Sequence, residues 1–139
     1  MEAVAKLKSV PMSARKMRLV VDLIRGKNVE DALDILRFTK KEAAVWLDKL
    51  VLSAIANWED RIGGTENADD YDLIIKTIYA DNGTMLKRFQ PAPHGRAHRI
   101  RKRTCHVTLV VENTVAHENS AEAGDAVEVE EVEEAAVEE

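Results

Sequence analysis

Asn82 to Val111 reads NGTMLKRFQPAPHGRAHRIRKRTCHVTLVV. Lys87, Arg88, Arg96, Arg99, Arg101, Lys102 and Arg103 give this stretch seven cations, with His94, His98 and His106 among them and no Asp or Glu. Its apolar residues are sparse before Val107: Met85, Leu86, Phe89 and Ile100, with Pro91 and Pro93 near the middle. Seven like charges with so little to bury do not fold as a free-standing unit. The flanks decide the reading. Leu73 to Ala80 and Thr104 to Val111 have strand character, so the stretch is the far end of a long β-hairpin. A two-stranded ribbon is marginal alone in water. A partner must therefore supply negative charge along its length, and a polyphosphate backbone is the best candidate.

Working outward, Asp81-Asn82-Gly83 is a turn or bulge signal within the pairing. From Gly83 to Pro91 each side of the hairpin extends ~25 Å past the body, at ~3.3 Å per residue. Ala3 to Val10 alternates and is closed by Pro11, which suggests a short edge strand. Ser13 is a candidate N-cap for a helix burying Met17, Val20, Val21 and Ile24, with Gly26 at the C′ position. That helix opens with Arg15, Lys16 and Arg18, cations that oppose the helix dipole at ~0.3–1 kcal/mol each. Two readings fit: an exposed helix with unfavourable decoration, or a phosphate seat formed by a helix N-terminus and basic side chains. The charge of the hairpin favours the second.

A second helix, capped by Asn28 with Glu30 and Asp31 in its first turn, buries Val29, Leu33 and Leu36. A third opens on the capping box Thr39-Lys40-Lys41-Glu42 and runs to about Asp60. Ala43, Trp46, Leu47, Leu50, Val51, Ala54, Ile55 and Trp58 point inward and make it the central core helix. Trp46 and Trp58 belong to core packing rather than to base stacking. Ile62-Gly63-Gly64 and the polar run to Asp70 form a surface loop, and Tyr71 begins the next strand. The expected fold is α+β: three helices packed on one face of a three-stranded antiparallel sheet, with a long extended basic β-hairpin.

The formal charge of −5 conceals segregation, because residues 1–112 hold all 20 Lys and Arg but only 15 of the 25 acids. Residues 113–139 hold the other 10 acids and no Lys or Arg, a low-complexity Glu, Ala and Val tail expected to be disordered. A role for it in shielding the basic arm is one option. The expected organisation is thus an α+β domain over 1–112, including the hairpin 82–106, followed by an acidic tail over 113–139. A single cysteine, Cys105, allows no internal disulfide and points to a reducing compartment. No run approaches the roughly 20 apolar residues of a membrane span, and the N-terminus has no signal-peptide core. Cys105 and His106 face opposite sides of a strand and cannot pair as nucleophile and base. His94, His98, Cys105 and His106 lack any familiar zinc spacing, with five Arg or Lys among them. No cofactor, metal or enzymatic constellation is expected.

Three blocks of sequence carry a family resemblance. They are Ser13 to Val20 with Asp22 to Lys27; Ala32 to Leu36 with Ser53 to Asn57; and Lys87-Arg88, Gly95-Arg96-Ala97, Arg99-Ile100 and Lys102-Arg103-Thr104, closing on His106-Val107-Thr108. In this order the chain resembles the bacterial large-subunit ribosomal protein L-twenty-two family over most of residues 3–112. The resemblance implies a cytoplasmic structural protein, monomeric within the ribosome and not membrane-bound. It would bind large-subunit rRNA, touch neighbouring large-subunit proteins, support early assembly and line the nascent-peptide exit tunnel with its hairpin. The expected rRNA-binding residues are Lys6, Lys8, Ser13, Arg15, Lys16, Arg18, Arg25, Lys27, Lys87, Arg88, Arg96, His98, Arg99, Arg101, Lys102, Arg103, Thr104 and His106. Of these, Ser13, Lys16, Arg18, Lys87, Arg88, Arg96, Arg99, Lys102, Arg103, Thr104 and His106, with Gly95, match positions of the family. The resemblance implies that Gln90, Pro91, Ala92, Pro93, His94, Gly95 and Arg96 would form the tunnel-lining tip and meet the nascent polypeptide. The tip departs from the family pattern: Ala92 and Pro93 replace a basic and a small residue, and His94 replaces a common Lys.

Two other readings of the arm stay open: an architectural DNA-binding ribbon that wedges a minor groove, and an adaptor that docks on an acidic protein.

Overall fold

The computed structural model describes residues 1–62 and 71–113. Ala3 and Ala5 face inward from the first strand, β1 (Glu2–Val10), with Val4 exposed between them and Glu2 and Lys6 exposed on either side. Three helices follow, α1 (Ala14–Ile24), α2 (Val29–Phe38) and α3 (Glu42–Ile62), and then two long strands, β2 (Leu73–Ala92) and β3 (Arg96–Asn113). The sheet is antiparallel with order β1-β3-β2, so the last strand is the central one. The fold is the α+β arrangement expected. The loop expected over 63–70 and the acidic tail from residue 114 lie outside the described residues.

The 3.6-residue period of α1 puts Met17, Val20, Val21 and Ile24 on one face, each with 0% of its surface exposed. Burial of each such side chain contributes about 1.5–3 kcal/mol. From β3, Cys105, Val107, Leu109 and Val111 meet this layer, alternating with half-exposed residues that face the other way. Ala43, Ala44, Leu47, Leu50, Val51, Ala54 and Trp58 complete the core from α3, while Trp46 and Ile55 are only partly buried against it. Trp58 packs edge-to-face on Tyr71 with ring centres 4.9 Å apart, a core contact rather than a stacking platform. From α2, Ala32 is buried where Leu33 was expected; Leu33 is partly covered.

The helix ends differ from expectation. Ser13 and Asn28 both occupy N-cap positions, yet neither side chain makes a capping hydrogen bond. Thr39-x-x-Glu42 is not a capping box. The Thr39 hydroxyl donates to the Ile35 carbonyl at 2.6 Å, and Thr39 closes α2. The link between α2 and α3 is so short that Thr39 still lies within i→i−4 reach of the preceding helix. Gly26 takes the C′ position after α1 with φ +71°. Its N–H bonds Ile75 O at 3.1 Å, and Ile75 N–H bonds Lys27 O at 3.0 Å, which stitches the end of α1 to β2.

Glu2 and Glu112 are direct cross-strand partners, a repulsive pairing by itself. Lys76 sits at a bulge between Ile75 and Thr77 and places Nζ 2.6 Å from a carboxylate oxygen of each. The hydrogen bonds to Glu112 and Glu2 push the Lys76 ammonium above its ordinary range. The same contact holds the Glu2 carboxyl below the usual carboxylate range. No helix among the described residues is long and apolar enough to cross a membrane.

Candidate nucleic-acid interface

Beyond the body, β2 and β3 remain paired to the end, from Met85↔Arg103 to Ala92↔Arg96. Partners in an antiparallel pair share a face, and successive pairs alternate. One face therefore carries Met85 with Arg103, Lys87 with Arg101 and Phe89 with Arg99. The other carries Leu86 with Lys102, Arg88 with Ile100, Gln90 with His98 and Ala92 with Arg96. Cations occupy both faces, and Lys87 and Arg101 stand directly opposite each other. Among the described residues none of the seven arm cations has an ion-pair partner. Phe89 is 74% exposed and Leu86 54%. A ribbon with these properties lacks both a core and counter-charge.

At its root the arm meets the start of α1. β1 stops at Val10, opposite Cys105, so the β3 edge is uncovered from Thr104 outward. Pro11, Met12, Ser13 and Lys16 line one side of the resulting groove, and Leu86 with Arg101 to Thr104 the other. Glu42, the first residue of α3, also lines it, and its volume is about 480 Å³. Because the Ser13 side chain caps nothing, the first amides of α1 are left without a side-chain acceptor. Ser13 and Lys16 at the start of α1 thus meet Arg101, Lys102 and Arg103 in one groove, an arrangement of cations beside a helix N-terminus suited to a phosphate.

A family model described as Ribosomal protein L22p/L17e matches residues 5–112. The chain belongs to that family. It is similar to the large ribosomal subunit protein uL22 of Flavobacterium psychrophilum, 59% identical over 109 residues, 78% of this chain and 79% of the relative. The protein of the same name from Christiangramia forsetii is 57% identical over 109 residues, covering 78% and 80%. That of Bacteroides fragilis is 50% identical over 115 residues, covering 83% of each chain. As a member of the L22p/L17e family the chain is a structural ribosomal protein and not an enzyme. Arm, root groove and all three helices fall inside the matched span; the acidic tail lies outside it.

Other residues expected to bind RNA have neighbours that sequence alone does not reveal. Arg18 Nε bonds Ala80 O at 3.0 Å and Arg25 Nη2 bonds Ile78 O at 3.3 Å, so both guanidinium groups cover the outer edge of β2. Arg25 also pairs with Asp22 at 2.8 Å. On the opposite edge, Asn57 Nδ2 donates to Val4 O at 3.1 Å and Arg61 donates to Glu2 O. Within the body, carbonyls on both sheet edges are thereby occupied by helix side chains, which disfavours edge-to-edge pairing there. Lys6 projects from the face of the sheet away from the buried Ala3 and Ala5, and Lys8 is exposed beside the β1 bulge.

Thr104 and His106 form a knuckle at the arm root. The Ser9 amide, at a bulge with φ +57°, donates to His106 Nδ1 at 3.0 Å. Gly83 lies so close on the other side that a Cβ there would stand 2.4 Å from Thr104 Oγ1 and 3.1 Å from His106 Nε2. The Thr104 hydroxyl meanwhile donates to Thr84 O at 2.7 Å. Nothing in the sequence singles out Ser9; for Gly83 the Asn-Gly bulge signal is there to be used. Cys105 points into the core, where burial pushes its thiol up. Among the described residues no three His, Cys, Asp or Glu side chains gather into a metal site.

The tip turns through Pro93–Gly95, with His94 and Gly95 both left-handed at φ +61° and +69°. A Cβ on Gly95 would touch nothing within 4 Å, so this glycine serves backbone conformation rather than close approach.

Proposed function

We propose that this chain is a cytoplasmic structural constituent of the large ribosomal subunit that binds its rRNA mainly through the arm and the root groove. The single observation behind this reading is the arm itself, a fully paired ribbon with seven cations spread over both faces and no ion-pair partner among the described residues. Such a ribbon gains most when phosphates approach from two sides, that is, between RNA segments. Lys87, Arg88, Arg96, Arg99, Arg101, Lys102 and Arg103 would contact phosphate along the ribbon, and Lys16 with the α1 amides would seat one at its root. Arg15, Lys27, Lys6, Lys8 and His98 extend the same surface. Clamping RNA segments against a preformed body fits a role in early assembly beside neighbouring subunit proteins. The tip, Gln90 to Arg96, would then face the exit tunnel and the nascent chain.

Deleting Leu86 to Ile100 tests this. Met85 and Arg103 already pair, so Arg101-Lys102 become a two-residue hairpin loop and every buried core residue is kept. The expected result is an unchanged circular dichroism spectrum of the body, with binding to large-subunit rRNA fragments reduced at least ~100-fold. For the intact chain log K should fall linearly with log salt. Equal competition by duplex DNA would favour the architectural DNA-binding reading, and a salt-insensitive affinity would favour an adaptor.

A further inference from the structure

We infer that the acidic C-terminal segment of this chain docks on the root groove of the arm in the free protein and is displaced when RNA arrives. The groove is short of counter-charge: Glu42 is its one lining acid, against Lys16, Arg101, Lys102 and Arg103. It also lies beside the N-terminus of α1, where the Ser13 side chain makes no capping bond and the helix dipole favours an anion. The only large store of negative charge in the chain is the segment after Asn113, with 10 acids and no Lys or Arg. Seven of those acids fall within residues 128–139.

Chain length places that block at the right distance. β3 leads back from Asn113 to Arg103 over ten residues, ~33 Å at ~3.3 Å per residue. Glu128 lies fifteen residues past Asn113, or ~50 Å of extended chain. The glutamate-rich block therefore reaches the groove with chain to spare. Pro93 at the tip is ~66 Å from Asn113 along the strand, farther than Glu128 reaches even on fully extended chain. A carboxylate cluster on the groove would imitate the phosphates proposed to bind there, keeping free protein off the wrong polyanions while leaving most of the arm able to start binding. The inference shares with the functional reading only the premise that this groove prefers polyanions.

Zero-length carbodiimide coupling, which joins a lysine to a carboxylate in direct contact, tests the docking in the full chain. At low salt Lys16 and Lys102 should couple to tail glutamates at least ~5-fold more than Lys27 and Lys49, since contacts between exposed charges are strong only where screening is weak. Lys27 is the demanding control, because its carbonyl bonds Ile75, the register partner of Val111, which puts it nearer the start of the tail than the groove is. A large-subunit rRNA fragment should abolish the coupling. In a second chain, with the seven glutamates of residues 128–139 replaced by glutamine, the fragment should bind ~10-fold tighter at ~50 mM salt and equally at ~500 mM. Even coupling over the four lysines, coupling that RNA does not displace, or equal affinities at low salt would each overturn the docking. Loss of RNA binding by both chains would overturn the functional reading instead, and the coupling pattern would still decide the docking.

Discussion

Ser9 and His106, 97 residues apart in the chain, are joined by one hydrogen bond in which the Ser9 amide donates to Nδ1 of the imidazole at 3.0 Å. This bond ties the bulge of β1 to the central strand at the point where the arm leaves the body. It also gives Ser9 a reason to hold φ +57°, a conformation that costs a non-glycine residue energy.

His106→Ala should therefore lower unfolding free energy by about 0.5–1.5 kcal/mol, the worth of one such bond. His106→Asn, which keeps an acceptor at the δ position, should lose less. Urea midpoints at constant m-value provide the comparison. If both variants unfold like the parent, the knuckle contributes nothing to stability.

Gly83→Ala should cost about 1–3 kcal/mol, because the new methyl group meets Thr104 Oγ1 at 2.4 Å and the Thr104 backbone carbon at 3.2 Å. Thr104 cannot swing aside freely while its hydroxyl holds Thr84 O. Adding Thr104→Ala removes the first obstacle, so the double variant should recover part of the loss. Additive losses in that cycle would mean that the two residues do not interact.

The basic residues of α1 should separate into two classes. Lys16→Ala combined with Arg101→Ala should flatten the plot of log K against log salt by about 2, with no change in thermal midpoint. Arg18→Ala combined with Arg25→Ala should lower the midpoint and promote self-association, since the Ala80 and Ile78 carbonyls on the β2 edge lose their donors. Light scattering and thermal denaturation distinguish the two.

Replacing Lys76 by Met should leave a stability deficit that depends on pH. The Glu2 carboxyl is held below its ordinary value of 4.5, so its contribution is complete above that value and disappears as pH falls through the lower folded value. The Lys76 ammonium is held above 10.5, so its share is complete below that value and is lost only at stronger alkalinity. Parent and variant should hence differ from about pH 5 to pH 10 and converge in acid. The deficit should also shrink with added salt, as expected for exposed charges. A pH-independent gap would assign the effect to packing of the Lys76 stem.

Much of this architecture is legible in the amino-acid sequence. The arm declares itself through an absence, thirty residues from Asn82 to Val111 without a single acid, and Asn82-Gly83 marks the bulge at its base. The apolar stripe of α1 is readable because a helix period is local information. What stays hidden depends on neighbours distant in sequence. Arg18 and Arg25 look like any surface cations until the topology lays α1 along the β2 edge. Thr39 fits a capping pattern that holds only if the helix starts where the pattern requires, and the brevity of the link gives its hydroxyl to Ile35 instead. The root groove combines residues from both ends of the fold, so charge counting can suggest the phosphate seat on α1 but not its meeting with Arg101 and Arg103.

The central position of β3 also governs how the molecule is made. Glu2 pairs with Glu112 and Ala3 with Val111, so the opening strand has no mate until almost the last described residue has been synthesised. The helices can form as they emerge, whereas sheet closure must await synthesis of β3 and joins contacts of the longest sequence separation, a slow kind of step. During that interval the inner alanines of β1 and the apolar stripe of α3 are exposed together, which makes the time before β3 is complete the period of greatest risk of aggregation for this chain.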